Sequence, residues 1–382
     1  MPPQKRYRLP DSRRSPNSGF FWSLALLAAA ALGWVWWHAA QPAGPQKSAA
    51  KKTARRQSAD SPAPVIDGTR TNAPARSNAT NVFFAAPAPA GTPPDSLPRP
   101  AQTVFEAQLV LDRLGISSGS LDGKSGVQTR AALRAFQQQE KVPATGELDA
   151  ATTAKLVLTA PPFVTYAVTS NDLARLQPLG RTWLAKSQQT TLDYESILEL
   201  VAEQAHAHPA LIRRLNPRVD WTNVMAGTVL QLPDAHRAEP TGKAAFMRIS
   251  LAEKAIEAFD AGTNLLAHFP CSIAQRVEKR PVGELRVAVV APNPNYTFDP
   301  AVFPESSEAQ QLKMKLILNP GPNNPVGVVW IGLDKPGYGM HGTPSPEMVG
   351  RTESHGCFRL ANWNAEHLLK LVWIGMPVRV EP

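Results

Sequence analysis

The stretch HGTPSPEMVGRTESHGCFRL, residues 341–360, places Cys357 directly after Ser354-His355-Gly356, with His341 sixteen residues upstream. A thiol that attacks an amide needs a base, because at pH 7 only a small fraction of a free thiol, with its pKa of about 8.5, is thiolate. The base needs a partner that fixes its tautomer. The developing oxyanion needs N–H donors, each worth roughly 3 kcal/mol. Gly356 permits close backbone approach beside the sulfur, so the N–H groups of Gly356 and Cys357 are natural donors. Either His341 or His355 can supply the base, and spacing alone does not choose between them.

Around this stretch, residues 244–382 break into short apolar or alternating runs divided by turn residues: FMRIS, KAIEAFD, LLAHFP, ELRVAVVAP, MKLILN, VGVVWIGL and MPVRVEP. Such runs predict antiparallel strands, with one helix at Asn364–Val372. The expectation is a mostly β sandwich or barrel. Cys271, in HFPCSI, reads as a small buried hydrophobe at a strand end. A Cys271–Cys357 disulfide would consume the nucleophile, so both cysteines are expected as free thiols.

Residues 341–360 closely resemble the active-site motif of the L,D-transpeptidases, an H-G pair followed by S/T-H-G-C and an Arg. The resemblance runs from about Phe246 to the C-terminus. It takes in Pro281-Val282-Gly283, Pro320-Gly321, Asn324-Pro325-Val326-Gly327, Trp330, Tyr338-Gly339-Met340 and Gly375. It implies an L,D-transpeptidase-like β fold with Cys357 as nucleophile and His341 as proton donor and acceptor. The backbone carbonyl of Gly342 is implied to orient that base. Ser354, His355, Gly356, Arg359 and Tyr338 are implied on the oxyanion or substrate side. Phe358 stands where the family more often has a β-branched residue. The implied reaction is acylation of Cys357 by a peptidoglycan stem tetrapeptide with loss of D-Ala, then transfer to an amine to form a 3→3 cross-link. Attachment or hydrolytic release of a wall-linked envelope protein is the alternative within the same chemistry. A non-catalytic wall anchor is the alternative outside it. His341, His355, Cys357 and His367 could in principle hold zinc, but CxxC and HxxxH spacings are missing, and no metal or cofactor is expected.

Two smaller modules precede the β region. Residues 101–160 carry helical periodicity, with Phe105, Leu109, Leu111 and Leu114 on one face and Leu133 and Phe136 on another. Asp122, Gly123, Gly126, Thr129, Ala132, Phe136, Gln137, Thr145 and Gly146 make this segment resemble the all-α peptidoglycan-binding three-helix domain, which implies peptidoglycan stem peptide or glycan as a partner. Residues 163–235 resemble a small α+β LysM module in their second half, through Leu211 to Pro217, Gly227, Val229, Leu230 and Pro233. In the first half, roughly 25 extra residues separate Tyr166-Ala167-Val168 from the helix. His206 and His208, two apart, face away from each other on a helix and read as a solvated helix end.

The N-terminal region explains the charge. The 382-residue chain has a formal charge of +9, but residues 1–60 hold ten basic and two acidic side chains. The rest is close to neutral, so no nucleic-acid surface is implied. Phe20–Trp37 is uncharged for eighteen residues and follows five basic ones. At about 1.5 Å per residue such a helix nearly spans a hydrocarbon core of about 30 Å. Residues 1–19 are therefore expected in the cytoplasm and 20–40 as a membrane anchor, with a cleaved signal as the alternative. The remainder is expected on the periplasmic, extracytoplasmic side. Residues 41–100, with eleven prolines and thirteen alanines, cannot bury enough apolar surface to offset their ordering entropy and read as linker.

Overall fold

The computed structural model describes residues 96–303, 306–312, 314–352, 354 and 356–382. The expected anchor at 20–40, the segment before it, most of the linker and His355 lie outside the described residues. Among the described residues no helix is long and apolar enough to cross a membrane.

The first described strand lies inside the stretch read as linker. β1 (Arg99–Pro100) pairs antiparallel with β2 (Val157–Leu158), and Arg99 forms an ion pair with Glu106 at 2.6 Å. Between these strands lie α1 (Val104–Arg113), α2 (Val127–Gln139) and α3 (Ala150–Lys155). Thr103 caps α1 by accepting the Glu106 N–H, a donor with no partner inside the helix. Leu114, expected on the apolar face, is 53 % exposed because the helix has already ended there. Two buried glutamines tie down the loops. Gln108 accepts the Asp122 and Gly123 N–H groups and donates to the Thr129 hydroxyl. Gln137 accepts the Gly146 N–H and donates to the Thr145 and Thr152 hydroxyls. The Asp-Gly and Thr-Gly pairs thus satisfy buried amides that would otherwise be costly.

The middle segment opens and closes with an antiparallel pair, β3 (Phe163–Ala167) and β4 (Val229–Pro233). Between them run α4 (Ser170–Ala174), α5 (Trp183–Ser187), α6 (Ile197–Gln204) and α7 (Pro209–Leu215). Its core is continuous with that of the first helices: Leu109, Leu111, Leu121, Leu200, Val201 and Ile212 belong to one buried cluster.

The C-terminal domain comprises β5 (Phe246–Ser250), β6 (Ala255–Phe259), β7 (Leu265–Pro270), β8 (Gly283–Pro292), β9 (Tyr296–Phe298), α8 (Ser307–Gln311), β10 (Leu316–Leu318), β11 (Val329–Leu333), β12 (Gly339–His341), β13 (Phe358–Arg359), α9 (Asn362–Leu371) and β14 (Pro377–Glu381). Eight strands form one sheet in the order β13-β12-β11-β8-β14-β5-β6-β7, and β9 pairs with β10 apart from it. The purely antiparallel expectation fails at two pairings, β14 with β5 and β12 with β13, which are parallel. Strand direction and partner are tertiary properties that local alternation cannot reveal, β14 and β5 lying at opposite ends of the domain. Just beyond β7, Ser272 exchanges backbone hydrogen bonds with Arg359 of β13 at 2.9 and 3.1 Å. These bonds stitch the two ends of the sheet into a barrel-like closure around Ile249, Phe269, Ile331, Met340 and Phe358, with α9 packed on it through Leu368 and Leu371.

One buried cluster joins all three parts. Asp112 of α1 pairs with Arg237, and its other oxygen lies 2.7 Å from His206 Nδ1. Arg237 also donates to Asn364 of α9 at 2.8 Å, and His206 stacks on Trp363 at 5.2 Å. His206 therefore hydrogen-bonds a buried carboxylate and is not a solvated helix end; His208 caps α7 by accepting the Ala210 N–H. Burial alone would raise the Asp112 pKa, but Arg237 and His206 outweigh it and hold the carboxyl at about 2.

Asp112→Ala leaves Arg237 as an uncompensated buried charge and is expected to lower unfolding free energy by about 3–5 kcal/mol. Because the folded pKa lies below the unfolded one, this stabilisation is full above pH 4 and fades as pH falls toward 2. Urea titrations of the two proteins between pH 2 and 7 check both points; equal midpoints at pH 7 would remove the cluster from this role.

Candidate active site

Two short strands position the reactive pair. β12 lies between β11 and β13, in the registers Trp330–His341, Met340–Phe358 and His341–Arg359. Cys357 immediately precedes β13 and so falls beside Gly339, whose backbone N–H faces the sulfur and favours the thiolate. The thiol donates to the Gly337 carbonyl at 3.5 Å. His341 is 5 % exposed, and its ring stacks on Trp330 at 5.7 Å.

His341 Nδ1 donates to the Gly342 carbonyl at 2.7 Å. A carbonyl can only accept, so this bond fixes the Nδ1–H tautomer and leaves the Nε2 lone pair available. His341 thus carries the tautomer-fixing partner that general-base work requires. Burial lowers the His341 pKa to about 4; the Gly342 bond opposes that shift and Arg359 adds to it. Burial raises the Cys357 pKa, against the Gly339 N–H and Arg359. Both shifts favour the uncharged forms, a thiol and a neutral imidazole, over an ion pair.

Ser354 builds the turn before the cysteine. Its hydroxyl donates to the Cys357 carbonyl at 2.5 Å and accepts the Gly356 N–H at 3.2 Å. Its own N–H donates to the Ile273 carbonyl at 2.8 Å. Of the two N–H groups expected as oxyanion donors, Gly356's is engaged here, whereas Cys357's has no acceptor among the described residues. Tyr338 covers Gly356 so closely that a Cβ added to that glycine would lie 3.7 Å from the ring. Arg359 is half-buried beside Cys357 and Tyr296, at the edge of a cavity of about 340 Å³ lined also by Ser272, Pro325, Thr343 and Met348.

Gly342 and Gly327 are small for one shared reason. A Cβ on either would come within 2.1 Å of the Asn362 Oδ1 atom, which accepts the Thr343 N–H at 3.1 Å and the Val328 N–H at 3.4 Å. Asn362, Tyr296 and the stacking role of Trp330 do not emerge from the sequence pattern. One signal was available: an asparagine at the head of the C-terminal helix, where the chain leaves the motif strand. Tyr296 had none, since it reaches the cysteine only through the fold.

His367, the fourth ligand of the zinc alternative, sits edge-on to Phe269 at 5.9 Å. Among the described residues no three His, Cys, Asp or Glu side chains converge as a metal site. Cys271 is fully buried and, like Cys357, a free thiol.

Residues 245–380 match the L,D-transpeptidase catalytic domain family, YkuD, and residues 100–156 match the "Putative peptidoglycan binding domain". The Bacillus subtilis protein "Putative L,D-transpeptidase YqjB" is 35 % identical over 105 residues, 26 % of this chain and 51 % of that protein. The Bacillus licheniformis "Putative L,D-transpeptidase YkuD" is 38 % identical over 63 residues, 16 % of this chain and 38 % of its own. The chain thus spans about half or less of the length of these curated relatives. The crystal structure of L,D-transpeptidase 3 from Mycobacterium tuberculosis aligns with 42 % of this chain and 76 % of its own at 18 % identity, with a TM-score of 0.29.

A neutral resting pair has a measurable signature. Alkylation of Cys357 by iodoacetamide is expected to be slow at pH 7 and to rise only above the ordinary thiol range. A fast plateau extending down to pH 6 would indicate a thiolate–imidazolium pair instead.

Proposed function

Because residues 245–380 form an L,D-transpeptidase catalytic domain, we propose that the protein carries out acyl transfer on peptidoglycan stem peptides with Cys357 as the nucleophile. The observation that carries this reading is the His341 Nδ1–H bond to Gly342, which leaves the Nε2 lone pair available on a strand whose neighbour begins directly after Cys357.

The Cys357 thiol gives its proton to His341 Nε2 as the sulfur attacks the carbonyl that joins the third stem residue to a terminal D-Ala. The Cys357 N–H is the donor nearest the oxyanion. The C–N bond breaks, D-Ala leaves as an amine with the proton returned by His341, and a thioester remains on Cys357. An acceptor amine then attacks, gives up its proton through His341 and restores the thiol, forming a 3→3 cross-link. A buried site favours this order, since it keeps water from an intermediate that an amine resolves readily. Starting from neutral partners, the step separates charge only in the transition state, where Arg359 and the backbone N–H groups lie close to the developing negative charge.

The surrounding modules fit the same substrate. We infer that residues 100–156 hold the wall polymer, that the β3–β4 segment is a LysM-like glycan binder, and that Phe20–Trp37 anchors the chain on the periplasmic side of the membrane.

Exposure of the full chain to a carbapenem, followed by intact-mass analysis, is expected to give a covalent adduct that is absent in Cys357→Ala. His341→Ala is expected to slow acylation by roughly 10²–10⁴-fold. With a tetrapeptide stem as donor, release of D-Ala and a dimeric muropeptide complete the test; absence of any Cys357 adduct would leave a wall-binding anchor as the reading.

A further inference from the structure

The carbonyl that orients His341 belongs to a peptide group clamped at its other end. Gly342 C=O accepts from His341 Nδ1 at 2.7 Å, and the N–H of that same peptide, on Thr343, donates to Asn362 Oδ1 at 3.1 Å. Asn362 Nδ2 in turn donates to both oxygens of Glu203, at 3.0 and 3.2 Å, and to the Pro322 carbonyl at 3.2 Å. Two backbone N–H groups face one end of this amide and a carboxylate with a carbonyl faces the other, so its orientation is fixed by chemistry. The Tyr194 hydroxyl donates to Glu203 at 3.1 Å. Glu203 and Tyr194 both come from the middle segment, Glu203 on α6, outside the residues that match the catalytic family.

We propose that Glu203 is a positioning residue for His341, acting through the Asn362 side chain and the Gly342–Thr343 peptide. The proposal rests on the reading of His341 as the base. When the imidazole takes the thiol's proton, its Nδ1–H becomes a stronger donor and needs a stronger acceptor. A peptide whose N–H is already donating offers a more polarised carbonyl, and chained hydrogen bonds strengthen one another. The chain ends on a carboxylate, which supplies at a distance the negative charge that no side chain supplies directly to the imidazole among the described residues. The middle module is thereby part of the reactive site.

Burial pushes the Glu203 carboxyl up to about 7, against the Asn362 and Tyr194 bonds, with Glu199 of α6 and Glu366 of α9 adding to the rise. Arg175, which lines the same pocket as Glu203, pairs with Asp193 at 2.9 Å and lies over the Tyr194 ring at 4.8 Å. The relay therefore gains its charge as pH rises through neutrality.

The test uses the full chain, with carbapenem acylation of Cys357 read by mass and the His341 tautomer read by imidazole ¹⁵N NMR. Glu203→Ala is expected to slow acylation roughly 10- to 100-fold, the range for outer partners of a functional imidazole. It is also expected to replace the single Nδ1–H signature with a tautomer mixture. On an Asn362→Ala background the same substitution should add no further loss, since both act through one path. Glu203→Gln keeps the volume and an acceptor for Asn362; it should retain the tautomer yet lose the rise in acylation rate near pH 7. Additive effects in the double variant, an unchanged tautomer in Glu203→Ala, or a wild-type pH profile in Glu203→Gln would each overturn the proposal. If Glu203→Ala fails to fold, the Glu203→Gln profile decides alone. A wild-type chain that forms no Cys357 adduct would sink the transpeptidase reading, while the tautomer measurement would still decide the relay.

Discussion

Three parts of the described fold meet at one buried carboxylate. Asp112 has no exposed surface, and placing a charge there is costly unless its oxygens are answered. They are answered by Arg237 from the connection before the β domain and by His206 from the loop after α6. Arg237 reaches on to Asn364 and lies over Phe269 at 5.3 Å, so the cation that satisfies the first helix also grips the last helix and an edge strand. A pairing of this kind adds little net stability compared with apolar packing. Its effect is geometric: no partner can leave without stranding the others, and the three parts hold a fixed relation.

That fixed relation is what makes a long hydrogen-bonded chain useful. A relay from Glu203 to His341 crosses from one module to another, and hydrogen bonds weaken steeply as their angles open. Independent modules on flexible connections would rarely align four groups at once. Here the continuous core of the first two modules and the Asp112 cluster set the position of α6 against α9, and the alignment follows. The same logic accounts for the Gln128 side chain of α2, which donates at 2.6 Å to the Val349 carbonyl in the loop between His341 and Cys357. The first module thus touches the catalytic loop on one side, and the middle module holds the base-orienting peptide on the other.

The candidate site residues are legible in the sequence and their supports are hidden, for a physical reason. Cys357, His341 and Ser354 lie within one short stretch, and their proximity is local. The eight-strand order depends on the parallel pairing of β14 with β5, which joins segments far apart in the chain, and on that of β12 with β13 across the loop that carries Cys357. Alternation announces a strand but not its neighbour. Glu203 and Asn362 are separated by 159 positions, and each alone looks like an ordinary polar residue on a helix. His206 departs from its sequence reading for the same cause: its neighbours along the chain suggest a solvated end, whereas its neighbour in space is a buried carboxylate.

The insertion before α6 shows how far this hidden contribution extends. In sequence it is an interruption of an otherwise LysM-like pattern, and as an isolated stretch it buries little. In the fold, Trp183 stacks on Phe298 at 4.3 Å, and Leu192 joins Phe298, Leu316 and Leu318 in a small core of its own. The Leu192 N–H donates to Pro320 and its carbonyl accepts the Asn323 N–H, both at 2.9 Å. These contacts hold the β9–β10 pair, and with it Tyr296, whose phenol is affected by burial first and by Cys357 next. The departure from the pattern is thus the part of the segment that packs on the strand pair carrying Tyr296. The middle module therefore supports two different neighbours of the candidate site, the strand pair that carries Tyr296 and, through Glu203 and Asn362, the peptide beside His341.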